Sequence, residues 1–352
     1  MNRTTSLVLA ALLGPALPAA AQVQLNGAGA TFPNIIYQNW MLTYNQTHPD
    51  VKLNYQSIGS GGGIRQFSDG TVDFGGTDAP MSDSAIAAVN GNVLHIPTVL
   101  GAVVAAYNLP DVTQPVKLTP DVLADIFLGK ITKWNDARIT SVNSGVTLPN
   151  QDIIVVHRSD GSGTSFVFTD YLSKVSPEWA QKVGKGASLN WPVGLGGRGN
   201  EGVSATVRQT PGAIGYTELG YALINKMAFA TIRNQSGNWI APSLESVTAA
   251  AAGAMKDMGA NTDFRVSITN APGAQAYPIA SFTWLLIHKT YDDSAKGRAL
   301  VQFVWWAEND GQSKATELGY APLPKEFRGL IQSRLKSITS NGRAVWKGPS
   351  AE

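Results

Sequence analysis

A chain of 352 residues with 43% hydrophobic side chains is long enough for two or three ordinary domains with real cores, which excludes a disordered tail or a mini-protein. Lys and Arg number 27 against 25 Asp and Glu, a formal net charge of +2, so no global field draws nucleic acid or a membrane surface to it. Cysteine is absent, which removes disulfides, thiolate nucleophiles, cysteine-based zinc sites and iron–sulfur clusters, and His48, His95, His157 and His288 show no metal-ligand spacing.

In chain order, residues 1–21 read as a secretory leader. Arg3 precedes an apolar stretch, Leu7–Leu13, and Pro18-Ala19-Ala20-Ala21 supplies small residues for cleavage after Ala21. A membrane anchor is the weaker reading, because the stretch falls short of the roughly 20 residues of a spanning helix and is followed by Gly14, Pro15 and Pro18. With no cysteine at the junction to carry a lipid, the mature chain is expected free in solution outside the cytoplasm.

Strands are predicted over Val51–Ile58 and Val72–Gly75, a strand pair or one long strand over Val93–Tyr107, a buried strand over Ile153–His157 and a late one over Tyr277–His288. Helical periodicity marks Pro33–Tyr44, Thr119–Gly129, Ser165–Val175, Val203–Gln209, Leu244–Met258, Ala295–Glu308 and Pro324–Ile338. Such alternation implies an α/β architecture with mostly parallel sheets. The distance between the long early strand and the late one allows the chain to cross between two lobes twice.

Glycine, 36 residues, is well above the usual share of about 7%, and three clusters stand at turns that lead into helices. Gly27-Ala28-Gly29-Ala30-Thr31-Phe32-Pro33 puts Thr31 and Phe32 at a helix start, where Pro33 suits the first helical position. Gly59-Ser60-Gly61-Gly62-Gly63 follows a strand, with Ser60 placed to cap the next helix. Asp160-Gly161-Ser162-Gly163-Thr164-Ser165 puts Ser162, Gly163 and Thr164 in a first turn. Any one of these is an ordinary capped helix. Three with the same grammar, if they converge, form a cage of backbone N–H and hydroxyl donors for a small oxyanion.

Two charged residues refine that expectation. Arg158 stands beside the third cluster, where a guanidinium can grip an oxyanion through parallel bonds, and Asp160 can hold the fork from behind. Asp78, in Thr77-Asp78-Ala79-Pro80, is either a plain turn former or a selector. An ionised carboxylate only accepts hydrogen bonds, so it tolerates an oxyanion that still carries a proton, such as phosphate, and rejects one that does not, such as sulfate.

The stretches GAGATFP (Gly27–Pro33), GSGGG (Gly59–Gly63), VDFGGTDAPMSD (Val72–Asp83), LGKITKWND (Leu128–Asp136), RSDGSGTSFVFTDYL (Arg158–Leu172) and GLGGRGNEGV (Gly194–Val203) resemble, in order and over nearly the whole mature chain, the periplasmic phosphate-binding proteins of the high-affinity phosphate ABC transporter. The resemblance implies a two-lobed type II periplasmic binding protein fold, each lobe a mostly parallel sheet flanked by helices, with two crossover strands as hinge. Residues 22–105 and 281–352 would form lobe I and residues 106–280 lobe II. It implies a monomer that captures inorganic phosphate, with arsenate as competitor, and hands it to transmembrane permease subunits. No cofactor, metal or nucleic acid enters. The implied phosphate contacts are Thr31, Phe32, Ser60, Asp78, Arg158, Ser162, Gly163 and Thr164, with Asp160 behind Arg158.

Competing readings are a phosphatase-like secreted enzyme and a binder of another tetrahedral oxyanion. Ser162 lacks a GxSxG elbow and a placed base, and Asp78 argues against sulfate or molybdate. Gly197–Gly202 fits GxGxxG, but with no strand expected before it the segment is read as a loop, not a dinucleotide site. The nine tryptophans are scattered, which favours core and surface roles over sugar stacking.

Overall fold

A computed structural model describes residues 22–253 and 263–349. The expected leader and its cleavage point lie outside the described residues, as does the end of the helix predicted over Leu244–Met258. Among the described residues no helix is long and apolar enough to cross a membrane.

The first stretch runs β1 (Val23–Gly29), α1 (Asn34–Thr47), β2 (Val51–Ser57), α2 (Ser60–Ser68), β3 (Phe74–Thr77), α3 (Asp83–Ala88) and β4 (Leu94–Tyr107). β1 pairs in parallel with both β2 and β3, so it is the middle strand of this half. Its sequence reads as a turn, because Asn26-Gly27-Ala28-Gly29 lacks β-branched residues. Packing overrides that reading: the Phe74 ring lies over Gly27, and Gly29 runs directly against the backbone of Gly76, leaving no room for a Cβ at either.

The middle stretch comprises β5 (Lys117–Leu118), α4 (Pro120–Phe127), α5 (Ala137–Thr140), β6 (Ile154–Arg158), α6 (Gly163–Val175), α7 (Pro177–Lys182), β7 (Leu195–Gly197), α8 (Gly199–Gln209), β8 (Ala213–Glu218), α9 (Leu219–Ile224), β9 (Ala228–Phe229), β10 (Thr231–Arg233), β11 (Trp239–Ile240) and α10 (Leu244–Ala252). The chain closes with β12 (Ala280–Ile287), α11 (Ser294–Asn309), α12 (Phe327–Lys336) and the short pair β13 (Thr339–Ser340) and β14 (Arg343–Ala344).

Strand order is β2-β1-β3-β12-β4-β8-β6-β7, with β9 also on β4. The segment expected to be a strand pair or one strand is one, 14 residues long and buried throughout. Its first part, to Ala102, pairs antiparallel with β12, and from Val103 onward it pairs antiparallel with β8. Val103 also donates its N–H to Ile279 O at 2.8 Å, just before β12 begins. One continuous strand therefore belongs to two sheets. The first holds β2, β1 and β3 in parallel, and the second holds β8, β6 and β7 in parallel.

That shared strand fixes where the site forms. β3 and β6 end at Thr77 and Arg158, and α1, α2, α6 and α8 all start close after the C-terminal ends of parallel strands. In open α/β sheets this is where ligands bind, because strand ends point there and helix N-termini face the same crevice.

Candidate functional site

The turns after β1, β2 and β6 bring the predicted donors together with Asp78, which follows β3. Thr31 and Phe32 lie in the turn before α1, whose cap position is held by Pro33, with the first helical residue at Asn34. Ser60 is the first residue of α2 and not its cap. The cap position belongs to Gly59, whose φ of +87° favours glycine and whose missing Cβ leaves room for the Asp160 carboxylate. Ser162 caps α6, accepting the Ser165 N–H at 3.0 Å, while Gly163 and Thr164 form the first turn. The helix thus begins two residues earlier than its apolar periodicity predicts.

Asp78 follows directly on β3 and is 1% exposed. Its Oδ1 accepts the Thr283 hydroxyl from β12 at 2.8 Å, and its own N–H donates to Ser60 Oγ at 3.2 Å. Burial pushes the carboxyl up to about 7, against the downward pull of Thr283, Arg158 and Ser60. Asp78 Oδ2 faces Gly163 of α6 so closely that a Cβ there would collide with it and with Ser60 Oγ.

Arg158, the last residue of β6, is 3% exposed. Its Nε and one terminal nitrogen donate to the two oxygens of Asp160 at 2.8 and 2.6 Å, a bidentate pair that fixes the guanidinium plane, and its other terminal nitrogen reaches Thr164 Oγ1 at 3.3 Å. Asp160 also accepts the Gly199 N–H at 3.0 Å. Although burial pushes the Asp160 carboxyl up, the Arg158 bonds outweigh it and hold the group below the usual carboxylate range.

The two halves meet through further bonds. Gly61 N–H donates to Gly161 O at 2.9 Å and Tyr221 donates to Thr31 O at 2.7 Å, while the Tyr320 hydroxyl, 2.6 Å from Phe32 O in its own half, lies 3.2 Å from Glu218 Oε2 of the other. The Phe32 ring is buried against Gly101 of β4.

Sequence reasoning missed Asn200. The Gly197–Gly202 stretch, read as a loop without a preceding strand, is the end of β7 and the start of α8. It is a fourth strand–glycine–helix turn of the same grammar as the other three. Its first N–H groups are directed to Asp160 and to Thr31 Oγ1, and Asn200 is fully buried. The segment's match to a dinucleotide pattern hid this, because β7 has only three residues and no β-branched side chain.

His157 does not address Ser162: its Nδ1 lies 3.0 Å from Arg158 O and its ring stacks on Trp191. Trp40, Trp134, Trp179 and Trp284 are core residues. Trp305, Trp306 and Trp346 line a surface cavity of about 580 Å³ that shares no residue with the cluster around Asp78.

The model of the PBP superfamily domain matches residues 15–308. The phosphate-binding protein PstS of Xylella fastidiosa (strain 9a5c) is 47% identical over 320 residues, covering 91% of this chain and 86% of that protein. The chain belongs to the PstS family of the PBP superfamily. The PstS of Pasteurella multocida (strain Pm70) is 43% identical over 348 residues, 98% of this chain and all of that one. Among solved structures, a high-affinity periplasmic phosphate-binding protein bound with phosphate, PfluDING, superposes with a TM-score of 0.70 at 21% identity, covering 88% of this chain and 93% of the other. The Stenotrophomonas maltophilia phosphate-binding protein gives 0.69 at 18% identity over 91% and 96%. These likenesses support the two-lobed type II fold, whose two mixed sheets are joined in this chain through β4.

Proposed function

We propose that this protein is the extracytoplasmic solute-binding component of a phosphate ABC importer, which captures inorganic phosphate and delivers it to the transmembrane permease. We assign the ligand contacts to Thr31, Phe32, Ser60, Asp78, Arg158, Ser162, Gly163 and Thr164, with Asp160 orienting Arg158. The observation that carries this reading is Asp78: a buried carboxylate among cationic and N–H or O–H donors gives the site a single acceptor in a field built for an anion. An oxyanion that brings a proton satisfies that acceptor, and phosphate near neutral pH always does. The names of the relatives support the same ligand.

The lobes are divided as 22–105 with 281–352, and 106–280, a division that the change of partners along β4 at Ala102 and Val103 supports. Closure of these lobes on the anion would be stabilised by contacts available only when shut. The chain is read as a monomer, secreted to the periplasm and cleaved after Ala21 without lipid attachment. It is read as a binder and not an enzyme, since Ser162 Oγ is engaged in capping α6 and, among the described residues, His157 turns to Arg158 O and not to Ser162. Arsenate, of like charge and protonation, is the expected competitor.

Isothermal titration with phosphate, arsenate and sulfate at pH 8 tests this directly. Tight phosphate binding, competition by arsenate and no heat from sulfate are expected; equal binding of sulfate or silence toward phosphate would overturn it.

A further inference from the structure

Asn200 sits between the two halves of the site, and its amide is the only part of the molecule that touches a threonine hydroxyl from each of them among the contacts described for Thr31 and Thr164. Its Nδ2 donates to Thr31 Oγ1 at 2.9 Å and to Thr164 Oγ1 at 3.2 Å. The amide cannot be turned round, because Oδ1 accepts from the Glu218 backbone N–H, at 3.4 Å, and that group can only donate. The Thr217 hydroxyl adds a second bond to Oδ1 at 3.3 Å.

A hydroxyl offers two lone pairs and one hydrogen. Thr31 Oγ1 accepts a second bond from the Asn200 backbone N–H at 3.2 Å, so both of its lone pairs face Asn200. Thr164 Oγ1 accepts from Asn200 and from Arg158 at 3.3 Å, which likewise uses both. Each hydroxyl has only its hydrogen left to give. We propose that Asn200 is a positioning residue whose single amide polarises the Thr31 and Thr164 hydroxyls into donors toward the bound anion. The proposal rests on the phosphate reading above and goes beyond it, since Asn200 itself need not touch the ligand. Without Asn200 either hydroxyl could swing round and present a lone pair to an anionic oxygen, which repels it.

The test is isothermal titration of phosphate into the full mature protein and its variants, with ligand-free melting as the check on folding. Asn200→Ala should weaken phosphate binding about tenfold, the loss of one to two oriented hydrogen bonds. Asn200→Asp, isosteric but an acceptor toward both hydroxyls, should weaken it about a hundredfold or more. In a Thr31→Val background the same Asn200→Ala change should cost only about threefold, because one of the hydroxyls it orients is gone. A purely structural role would give the same factor in both backgrounds, and that result would overturn the proposal, as would an Asn200→Ala variant that binds like wild type. Should Asn200→Ala fail to fold, Asn200→Asp carries the test alone, and its retaining wild-type affinity would overturn the proposal. A wild-type chain that binds no phosphate overturns the functional reading instead and is distinguished by that control.

Discussion

Gly163, the first residue of α6, packs against Asp78 at the end of β3, and a Cβ on it would run into both the Asp78 carboxylate and Ser60 Oγ. The two residues come from the two sheets that β4 joins, so the absence of one methyl group decides how near those sheets can approach at the site. The pairing also places the N-terminus of a 13-residue helix beside a carboxylate. That contact is favourable in itself, since the helix start presents free N–H groups and partial positive charge; the conflict arises when an anion enters and two negative groups face the same donors, which a proton shared between carboxylate and anion relieves.

Gly163→Ala tests the contact. Gly163 does not have a positive φ, so alanine there adds no backbone strain and acts through its methyl group alone. Phosphate affinity should fall by about a hundredfold or more, because overpacking at a rigid contact typically costs about 1–3 kcal/mol and here also holds the lobes apart. Small-angle scattering should show the variant staying extended at phosphate concentrations that compact the wild type. A variant that compacts and binds normally would remove Gly163 from the closing contact.

The Asp78 carboxyl titrates near 7 instead of its ordinary 3.8, raised first by burial. Above about 7 it is ionised and accepts only; below, it carries a proton and donates. Phosphate can supply the one proton that the pair must share, or can take it from Asp78, so its binding should change little between pH 5 and pH 8.5. Sulfate can only take it. Sulfate binding should therefore be absent at pH 8.5 and emerge at pH 5, strengthening at least about tenfold across that range. Asp78→Asn should bind sulfate at both pH values. Titration calorimetry at the two pH values checks it, and equal rejection of sulfate at pH 5 would show that something other than the Asp78 proton selects the ligand.

Arg158 commits two of its nitrogens to Asp160 and turns the rest toward Thr164. Lysine keeps the charge but cannot make the bidentate pair. Arg158→Lys should lower phosphate affinity by about a hundredfold and Asp160→Asn by about tenfold, because the second loses orientation while the cation stays. Far-ultraviolet circular dichroism should be unchanged in both. If Asp160→Asn cost as much as Arg158→Lys, Asp160 would be more than an orienting partner.

Much of this arrangement is legible in the sequence, because its grammar is local. A strand followed by glycine, serine or threonine and then a helix is written in adjacent residues at Gly59–Gly63 and Asp160–Ser165, and the helix predicted from Ser165 begins two residues earlier, at Gly163. What the sequence conceals is long-range. β1 and β8 are not legible as strands, since Gly27, Gly29 and Gly215 are there for what presses on them from Phe74, Gly76, Val207 and Val156. The predicted strand Val72–Gly75 forms instead at Phe74–Thr77, where pairing with β12 supplies the bonds. Asn200 shows no periodic or charge signal, and its importance appears only when Thr31, some 169 positions earlier in the chain, is found against it.

Asp170, on α6, supplies a pH signature that belongs to the scaffold and not to the ligand. Its side chain is 3% exposed, with Lys185 at 2.8 Å and Lys174 at 2.9 Å. It also accepts the hydroxyls of Ser267, at 2.6 Å, and Thr269, which tie the segment before β12 to α6. Burial pushes the carboxyl up, but bonds from Lys185, Ser267, Thr269 and Lys174 outweigh it and hold the group well below the usual carboxylate range. A carboxyl depressed in the folded state stabilises above its ordinary value of 3.8, and that contribution is lost as pH falls below it. Asp170→Asn should therefore cost about 1–2 kcal/mol at pH 7, the loss of two solvent-screened ion pairs together with the charge-assisted bonds from Ser267 and Thr269. Urea unfolding at pH 7 and at pH 2.5 reads the difference: the gap between wild type and variant should narrow, because at pH 2.5 the carboxyl of the unfolded wild-type chain takes up a proton that the folded one does not. A gap of equal size at both pH values would place the effect in packing and not in charge.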